Sequence, residues 1–167
     1  MERLTPEAVT RLWDERGPAL VLYARQWCDA PEDVVQEAFL LLARQAVAPG
    51  NPVGWLYRVV RNGAINAARS HRRRSRREAI VALRRAPWFE AADGDSLNAA
   101  EVTEALARLP IGQREAIVAH LWGGLSFEEI GRLCGSSAAT VHRRYHRGLA
   151  ALRERFEEPC SIKTKKT

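Results

Sequence analysis

The sequence predicts an all-α protein of two small helical domains joined by a linker, the C-terminal domain being a helix-turn-helix. Helix-forming residues dominate its 167 residues, and runs typical of strands are short. A segment containing Pro87, Gly94 and two aspartates interrupts the helical periodicity between residues 85 and 96. The predicted boundaries are therefore 1–84 for the first domain, 85–96 for the linker, 97–156 for the second domain and 157–167 for a disordered basic tail.

The first helix begins at Pro6, because Thr5 is a suitable N-cap and proline is favoured at the first helical position. Its predicted core positions are Val9, Leu12 and Trp13. Gly17 and Pro18 predict an interruption, followed by a second helix from about Pro18 to Cys28.

A third, strongly amphipathic helix is expected from Pro31 to about Gln45. Its core-facing positions are predicted to be Val34, Val35, Ala38, Leu41 and Leu42. The outer surface would then be acidic and partly apolar, formed by Glu32, Asp33, Gln36, Glu37 and, at its side, Phe39 and Leu40. Such a surface is either solvated or binds a partner protein.

A fourth helix starts at Pro52 with Asn51 as its cap and continues into a basic run. Residues 58–77 contain no acid and eight arginines, namely Arg58, Arg61, Arg69, Arg72, Arg73, Arg74, Arg76 and Arg77. Trp55 and Tyr57 lie just upstream, and aromatic rings combined with guanidinium groups suit single-stranded nucleic acid. The alternative is a core Trp55 and a solvated basic helix end.

The second domain is predicted to contain four short helices. The first carries Leu97, Val102, Leu106 and Leu109 and ends at Pro110; the next carries Ile111, Ile117, Val118 and Leu121. In the preceding linker, Trp88 and Phe89 either dock on a domain or bind a partner, because an exposed aromatic pair is unfavourable.

The stretch 125–152 has the pattern of a helix-turn-helix. Ser126 and Glu129 form a capping box, and Gly135 suits the left-handed end of the first helix. Ser136 and Ser137 can cap the second helix, whose inward positions are Val141, Tyr145, Leu149 and Leu152. The opposite face offers hydrogen-bond donors to phosphates and base edges, through Thr140, His142, Arg143, Arg144, His146 and Arg147. A plain amphipathic hairpin with a solvated basic face is the alternative.

Composition favours a polyanion partner and argues against several other classes. The formal net charge is +6. Cys28, Cys134 and Cys160 form no disulfide or zinc pattern, and the four histidines are scattered without matching acids, so no metal site, cofactor or nuclease centre is predicted. No apolar run approaches the ~20 residues of a membrane span and no signal-peptide core is present, so a cytoplasmic location is expected.

Two stretches together resemble the sigma factors of bacterial RNA polymerase, in particular the extracytoplasmic-function (ECF) group that has only the second and fourth sigma domains. The first combines PEDVVQEAFLLLAR (31–44) with NPVGWLYRVVRNGAINAARSHRRR (51–74). The second is ALARLPIGQREAIVAHLWGGLSFEEIGRLCGSSAATVHRRYHRGLAALRERF (105–156).

The resemblance implies three sets of binding residues and no enzyme activity. Core RNA polymerase would be bound by Asp33, Gln36, Glu37 and Phe39. The melted minus-ten strand would be held by Trp55, Arg58, Arg61, Asn62, Asn66, Arg69, Arg72, Arg73 and Arg74. The minus-thirty-five duplex would be read by Ser137, Thr140, His142, Arg143, Arg144 and Arg147. An anti-sigma protein is a further implied partner; no small-molecule substrate or membrane insertion is implied.

The chain departs from the family pattern at five positions, of which Gly63 and Ala68 leave the Asn66 face of the fourth helix thin. Asn66 stands where aspartate is frequent, and Tyr145 and Gly148 stand where a smaller aliphatic residue and alanine are usual. A competing interpretation is a free-standing helix-turn-helix regulator that binds operator DNA without polymerase. A third, a sigma-like protein recruited by an accessory DNA-targeting partner, is neither favoured nor excluded by the sequence.

Overall fold

The computed structural model of the protein describes residues 3–75 and 99–157. Within these ranges the chain forms seven α-helices and no β-strand, which confirms the all-α prediction. The helices are α1 (Pro6–Ala24), α2 (Pro31–Ala43), α3 (Pro52–Ser75), α4 (Ala99–Arg108), α5 (Ile111–Leu121), α6 (Phe127–Cys134) and α7 (Ala138–Glu157). Each of these described helices is too short or too polar to cross a membrane.

Helix α1 begins as predicted but is not interrupted at Pro18. The Thr5 hydroxyl accepts a hydrogen bond from the Ala8 N–H at 3.3 Å, and Pro6 is the first helical residue. Pro18 lies inside the helix, so the prediction of two separate helices was wrong. The proline removes one intrahelical hydrogen bond, but Leu20 and Tyr23 beyond it are fully buried, and their packing offsets that loss.

Helices α1, α2 and α3 pack around a common apolar core. Its fully buried members include Leu20, Tyr23, Val35, Ala38, Leu56, Tyr57, Val60 and Ala64. Tyr57 therefore belongs to the core and is not available to stack on a base. Helix α3 starts as predicted, because the Asn51 side-chain oxygen accepts a hydrogen bond of 2.8 Å from the Gly54 N–H.

Helices α4 to α7 enclose a second group of buried residues, and α6 and α7 form the predicted helix-turn-helix. The capping box is complete: the Ser126 hydroxyl accepts from the Glu129 N–H, and the Glu129 carboxylate accepts from the Ser126 N–H at 2.9 Å. Gly135 ends α6 with a φ of 68°, a left-handed conformation that favours glycine. The Ser137 hydroxyl then accepts a hydrogen bond of 3.2 Å from the Thr140 N–H at the start of α7.

The two helical groups are in direct contact. Glu115 of α5 is buried against α1 and α3, where it accepts hydrogen bonds from the Tyr23 hydroxyl and from Arg61. A second bond joins the Asn51 amide to the Glu129 carboxylate at 3.2 Å. The core is consequently continuous from one group to the other.

Several predicted features fall outside the described residues. These are the linker 85–96 with Trp88 and Phe89, and residues 158–167 of the predicted tail. Helix α7 ends at Glu157, so the first residue of that predicted tail is helical.

Candidate nucleic-acid interface

The N-terminal half of α7 presents hydrogen-bond donors and no acid on its exposed side. His142, Arg143, His146 and Arg147 are exposed on it. At the start of the helix the Thr140 hydroxyl contacts the Ser137 hydroxyl at 2.9 Å and accepts a hydrogen bond of 3.1 Å from Arg143. This network orients the Arg143 guanidinium group toward the N-terminal end of α7, the end that contacts bases in helix-turn-helix proteins.

Arg144 is only partly exposed, which differs from its predicted place on the outward face of α7, while its predicted contact with DNA stays a prediction. Its guanidinium group donates to the Ser136 hydroxyl at 3.2 Å. It also covers Gly112 of α5, where an added Cβ would lie 3.3 Å from Arg144 Cδ. Arg144 therefore lies at the edge of the buried face of α7, where it connects this helix to the turn and to α5.

The structure explains both unusual residues of this stretch, Tyr145 and Gly148. The ring of Tyr145 lies 5.4 Å from that of Phe127 and 5.1 Å from that of His120, so tyrosine fills an aromatic cluster. Gly148 is buried, and a Cβ there would lie 2.7 Å from Ile117 Cδ1. Glycine thus allows α7 to approach α5 closely.

A second polar surface follows one side of α3. Its exposed residues are spaced by four, four, three and four positions, which places them on one helix face: Arg58, Asn62, Asn66, Arg69 and Arg73. Arg72 is exposed beside them, and the side chain of Arg74 lies outside the described part of the chain. Guanidinium and amide groups along a face of this kind can bind phosphates and base edges.

Arg61 is withdrawn from this α3 surface by an ion pair. Its Nε donates to Glu115 Oε1 at 2.7 Å and its Nη2 to Oε2 at 3.4 Å, while the Trp27 ring lies 5.8 Å from the guanidinium carbon. Burial opposes the charge of Arg61, but the bond to Glu115 leaves its pKa above the ordinary value. Burial, reinforced by Glu115, also raises the pKa of Tyr23 well above 10.0, so Tyr23 remains a donor.

Trp55 and Arg58 line a cavity of about 290 Å³ between the two helical groups. The opposite wall comes from α6, through Glu129, Arg132 and Leu133. Trp55 is half-buried and packs against the core, so the core interpretation of this residue holds in part.

Phe39 does not lie on the outer surface of α2, where it was predicted. Asp33, Gln36 and Glu37 are exposed as expected, but Phe39 is only 5% exposed. Its ring packs edge-on against that of Trp13 at 4.9 Å. Residues 39–42 are four apolar residues in succession, so their spacing does not show which of them face the core. The contact of Phe39 with Trp13 of α1 places Phe39 on the inward face.

The apolar part of the same surface contains Leu40, as predicted, and two residues that the sequence analysis had assigned to the core. Trp13, Leu40 and Leu41 are 42%, 45% and 36% exposed, although Trp13 and Leu41 were predicted to lie in the core. Leu40 follows Gln36 and Glu37 by one helical turn, so it lies beside the exposed acid.

Two family models match this chain in the order of its two helical groups. The model of Sigma-70 region 2 matches residues 12–74, and that of Sigma-70, region 4 matches residues 99–152. The sigma factor CarQ of Myxococcus xanthus is 34% identical over 76% of this chain and 75% of its own length. The ECF sigma factor SigL of Mycobacterium tuberculosis is 32% identical over 88% of each chain.

The chain belongs to the ECF sigma factors of RNA polymerase. Another relative, SigE of Mycolicibacterium smegmatis, is 37% identical over 74% of this sigma factor, which spans 50% of SigE.

Solved structures resemble this sigma factor over both helical groups. RpoE of Bartonella quintana, solved in complex with the anti-sigma factor NepR, aligns with a TM-score of 0.76 and 25% identity over 93% of this chain and 99% of RpoE. CnrH, solved in complex with the cytosolic domain of CnrY, aligns with a TM-score of 0.62 and 26% identity over 91% of this chain and 89% of CnrH.

Proposed function

We propose that this chain binds core RNA polymerase in the cytoplasm and directs it to specific promoters. The observation that carries the proposal is the pair of donor-rich surfaces, one on α3 and one on α7, each within a match to a different sigma region. Its domains are assigned as 1–84 for the second sigma domain and 97–156 for the fourth, with 85–96 as linker. The chain performs no covalent chemistry; the polymerase supplies the active site.

The exposed face of α7 is assigned to the minus-thirty-five duplex. Ser137, Thr140, Arg143 and Arg147 donate to phosphates and to acceptors on the base edges, and His142 lies on the same face. Arg144 acts as a positioning residue through its bond to Ser136. Removing Arg143 should therefore alter sequence preference, whereas removing Arg144 should mainly loosen the turn.

The α3 surface is assigned to the minus-ten element as a melted strand. Asn62 and Asn66 are amides, which can pair with the edges of unstacked bases, while Arg69, Arg72 and Arg73 neutralise phosphates. Arg58 extends the basic charge toward the N-terminal end of the helix, and Arg74 belongs to the same proposed set by its place in the sequence. Carboxylates are absent from residues 58–77, so this surface does not repel the strand.

Arg61 and Trp55 can contact the minus-ten strand only after the two helical groups separate. In the compact arrangement Arg61 is bonded to Glu115, and Trp55 faces α6 across the cavity. Separation of the two helical groups exposes both side chains and lets the α3 and α7 surfaces reach distant promoter elements.

The outer surface of α2 is assigned to the polymerase. Asp33, Gln36 and Glu37 supply its polar part, and Leu40 adds exposed apolar area of the kind that protein interfaces bury. Phe39 supports this surface from beneath through its contact with Trp13. An anti-sigma protein is a further proposed partner, by similarity to the complex of RpoE with NepR.

Run-off transcription tests the proposed function. Purified core polymerase is mixed with genomic fragments, with and without this chain. Transcripts of defined length are expected only when both proteins are present. Absence of polymerase-dependent initiation by the folded chain contradicts the proposal, and specific protection of DNA by the chain alone supports the free-standing regulator instead.

A further inference from the structure

His142 and His146 lie in direct contact on the exposed face of α7. They are separated by one helical turn, and their Nε2 atoms are 3.0 Å apart. The expectation that the histidines are scattered is therefore wrong for this pair. In this contact the Nε2–H of one imidazole points at the lone pair of the other Nε2. A metal ion can take the place of that proton when the donor imidazole changes to its Nδ1–H tautomer, and both Nε2 lone pairs are then available on the same face of α7.

Neighbouring aromatic rings hold the two imidazoles in this orientation. The Phe127 ring lies 5.1 Å from that of His142 at an interplanar angle of 87°. The Tyr145 ring lies 5.3 Å from that of His146 at 86°. Each imidazole is thus positioned by a residue outside the pair, which lowers the cost of ordering the two side chains for a ligand.

We propose that His142 and His146 form a bidentate site for a divalent transition-metal ion, with Cu²⁺ and Ni²⁺ favoured. Metal–imidazole distances of about 2.0–2.1 Å and nitrogens 3.0 Å apart define an N–metal–N angle of about 95°. Square-planar and octahedral ions require angles near this value. Imidazole nitrogens suit both Cu²⁺ and Ni²⁺, and affinity for a nitrogen site rises through Ni²⁺ to Cu²⁺ along the first-row divalent metals.

The rest of the site determines which ions are excluded. Within the described residues no cluster of three His, Cys, Asp or Glu exists, so the remaining coordination positions are open. Without carboxylates the pair offers nothing to Mg²⁺ or Ca²⁺, which prefer oxygen ligands. Arg143 and Arg147 flank the pair and weaken the binding of any cation, so chelation by both imidazoles is essential.

The metal site goes beyond the proposed function, because binding of the ion does not require DNA or polymerase. The effect of the ion on DNA binding, by contrast, rests on the proposed function. The ion would occupy the face of α7 assigned to the promoter duplex, so metal and DNA must change each other's affinity by the same factor.

Isothermal titration of the full chain, without a histidine tag, with Ni²⁺ alone tests the site. His142→Ala and His146→Ala are the test variants. The matched control is His71→Ala, because His71 is an exposed histidine of another helix, α3. The wild type should bind one equivalent of Ni²⁺. Each test variant should bind Ni²⁺ about tenfold or more weakly, because chelation is lost, whereas the affinity of the control should change less than about twofold. Alanine favours helix, so the variants should remain folded, which circular dichroism checks.

The titration has two outcomes that overturn the site. Either both test variants bind Ni²⁺ like the wild type, or His71→Ala weakens binding as much as they do. A second measurement, the Cu²⁺ electron paramagnetic resonance spectrum, should contain coupling to two imidazole nitrogens in the wild type and to fewer in each test variant. An unchanged spectrum in His142→Ala contradicts the proposal, and neither measurement depends on transcription.

Discussion

The turn between α6 and α7 leaves no room for a side chain at Gly131. A Cβ at this position would lie 2.6 Å from the Ser136 carbonyl oxygen, an atom of the turn that cannot move independently. We expect Gly131→Ala to lower the free energy of unfolding by about 1–3 kcal/mol, although alanine is the better helix former. Urea denaturation measures this. Gly50→Ala is the control, because no heavy atom lies within 4 Å of its added Cβ, and equal stability of the two variants would contradict the expectation.

The capping box of α6 makes stability depend on pH. The Ser126 N–H, followed by weaker contacts, lowers the pKa of Glu129 below its ordinary value of 4.5. The stabilisation is therefore complete above pH 4.5 and is lost as the pH falls through the lower, folded value. Glu129→Gln should cost about 0.5 kcal/mol at pH 7 and nothing in acid. Urea denaturation from pH 7 to pH 3 measures the difference, with Glu128→Gln as the equal-charge control; a constant difference would rule this linkage out.

Local chemistry was predictable at some residues and not at others. Ser126, Glu129 and Gly135 were identified because caps depend on neighbours in sequence. Phe39 was assigned to the wrong face, since its burial depends on Trp13 of another helix. The contact of His142 with His146 is implied by their spacing of four, but its geometry depends on Phe127.

Helix α1 contains an unfavourable residue in its interior. Pro18 cannot donate the hydrogen bond that an ordinary residue there would make, and it is exposed, so few contacts would be lost by replacing it. We expect Pro18→Ala to raise the free energy of unfolding by about 1–3 kcal/mol. Thermal and urea denaturation measure this change. The control is Pro49→Ala, because Pro49 lies in the turn before α3 and outside any helix. A less stable Pro18→Ala would mean that packing of α1 on α2 needs a bend at this position.

Element boundaries were predictable where capping signals and apolar spacing agreed. The starts of α1, α3, α6 and α7 all carry a side-chain cap that the sequence indicates. The prediction of a break in α1 was wrong because proline and glycine indicate only the local conformational preference of the backbone. Burial of Leu20 and Tyr23 reverses that preference, and tertiary packing of this kind has no local signature.

At the scale of the whole molecule, Glu115 links the two helical groups. Its side chain is 6% exposed and accepts from Arg61 and Tyr23, so Glu115→Ala leaves both donors without this acceptor. We expect a loss of about 2–4 kcal/mol, reduced from that of a fully buried pair because the Arg61 side chain is 23% exposed. The radius of gyration from small-angle X-ray scattering should increase as the groups separate.

Glu104→Ala is the control for this experiment. Glu104 pairs with Arg108 and Arg155 within the C-terminal helices, so its loss should leave the radius of gyration unchanged. A compact Glu115→Ala variant would mean that the apolar contacts between the groups suffice to hold them together.

The arrangement of the two groups was beyond sequence reasoning. Tyr23 and Arg61 are 92 and 54 residues from Glu115, and nothing in the local pattern joins them. The surfaces themselves were largely predictable, because exposed basic faces repeat with the helical period. Arg61 and Arg144 were exceptions, because Arg61 bonds to Glu115 of α5 and Arg144 bonds to Ser136 in the turn before α7.

Footprinting with core polymerase on a promoter found by run-off transcription tests the central claim, that α7 reads the duplex and α3 holds the melted strand. Deoxyribonuclease protection reports duplex binding, and permanganate reactivity of thymines reports opening. We predict that Arg143→Ala weakens upstream protection, by about 1–3 kcal/mol in affinity, while the triple alanine variant of Arg69, Arg72 and Arg73 keeps this protection and loses permanganate reactivity. Unchanged patterns in both variants, or strand opening by the chain without polymerase, would contradict the account.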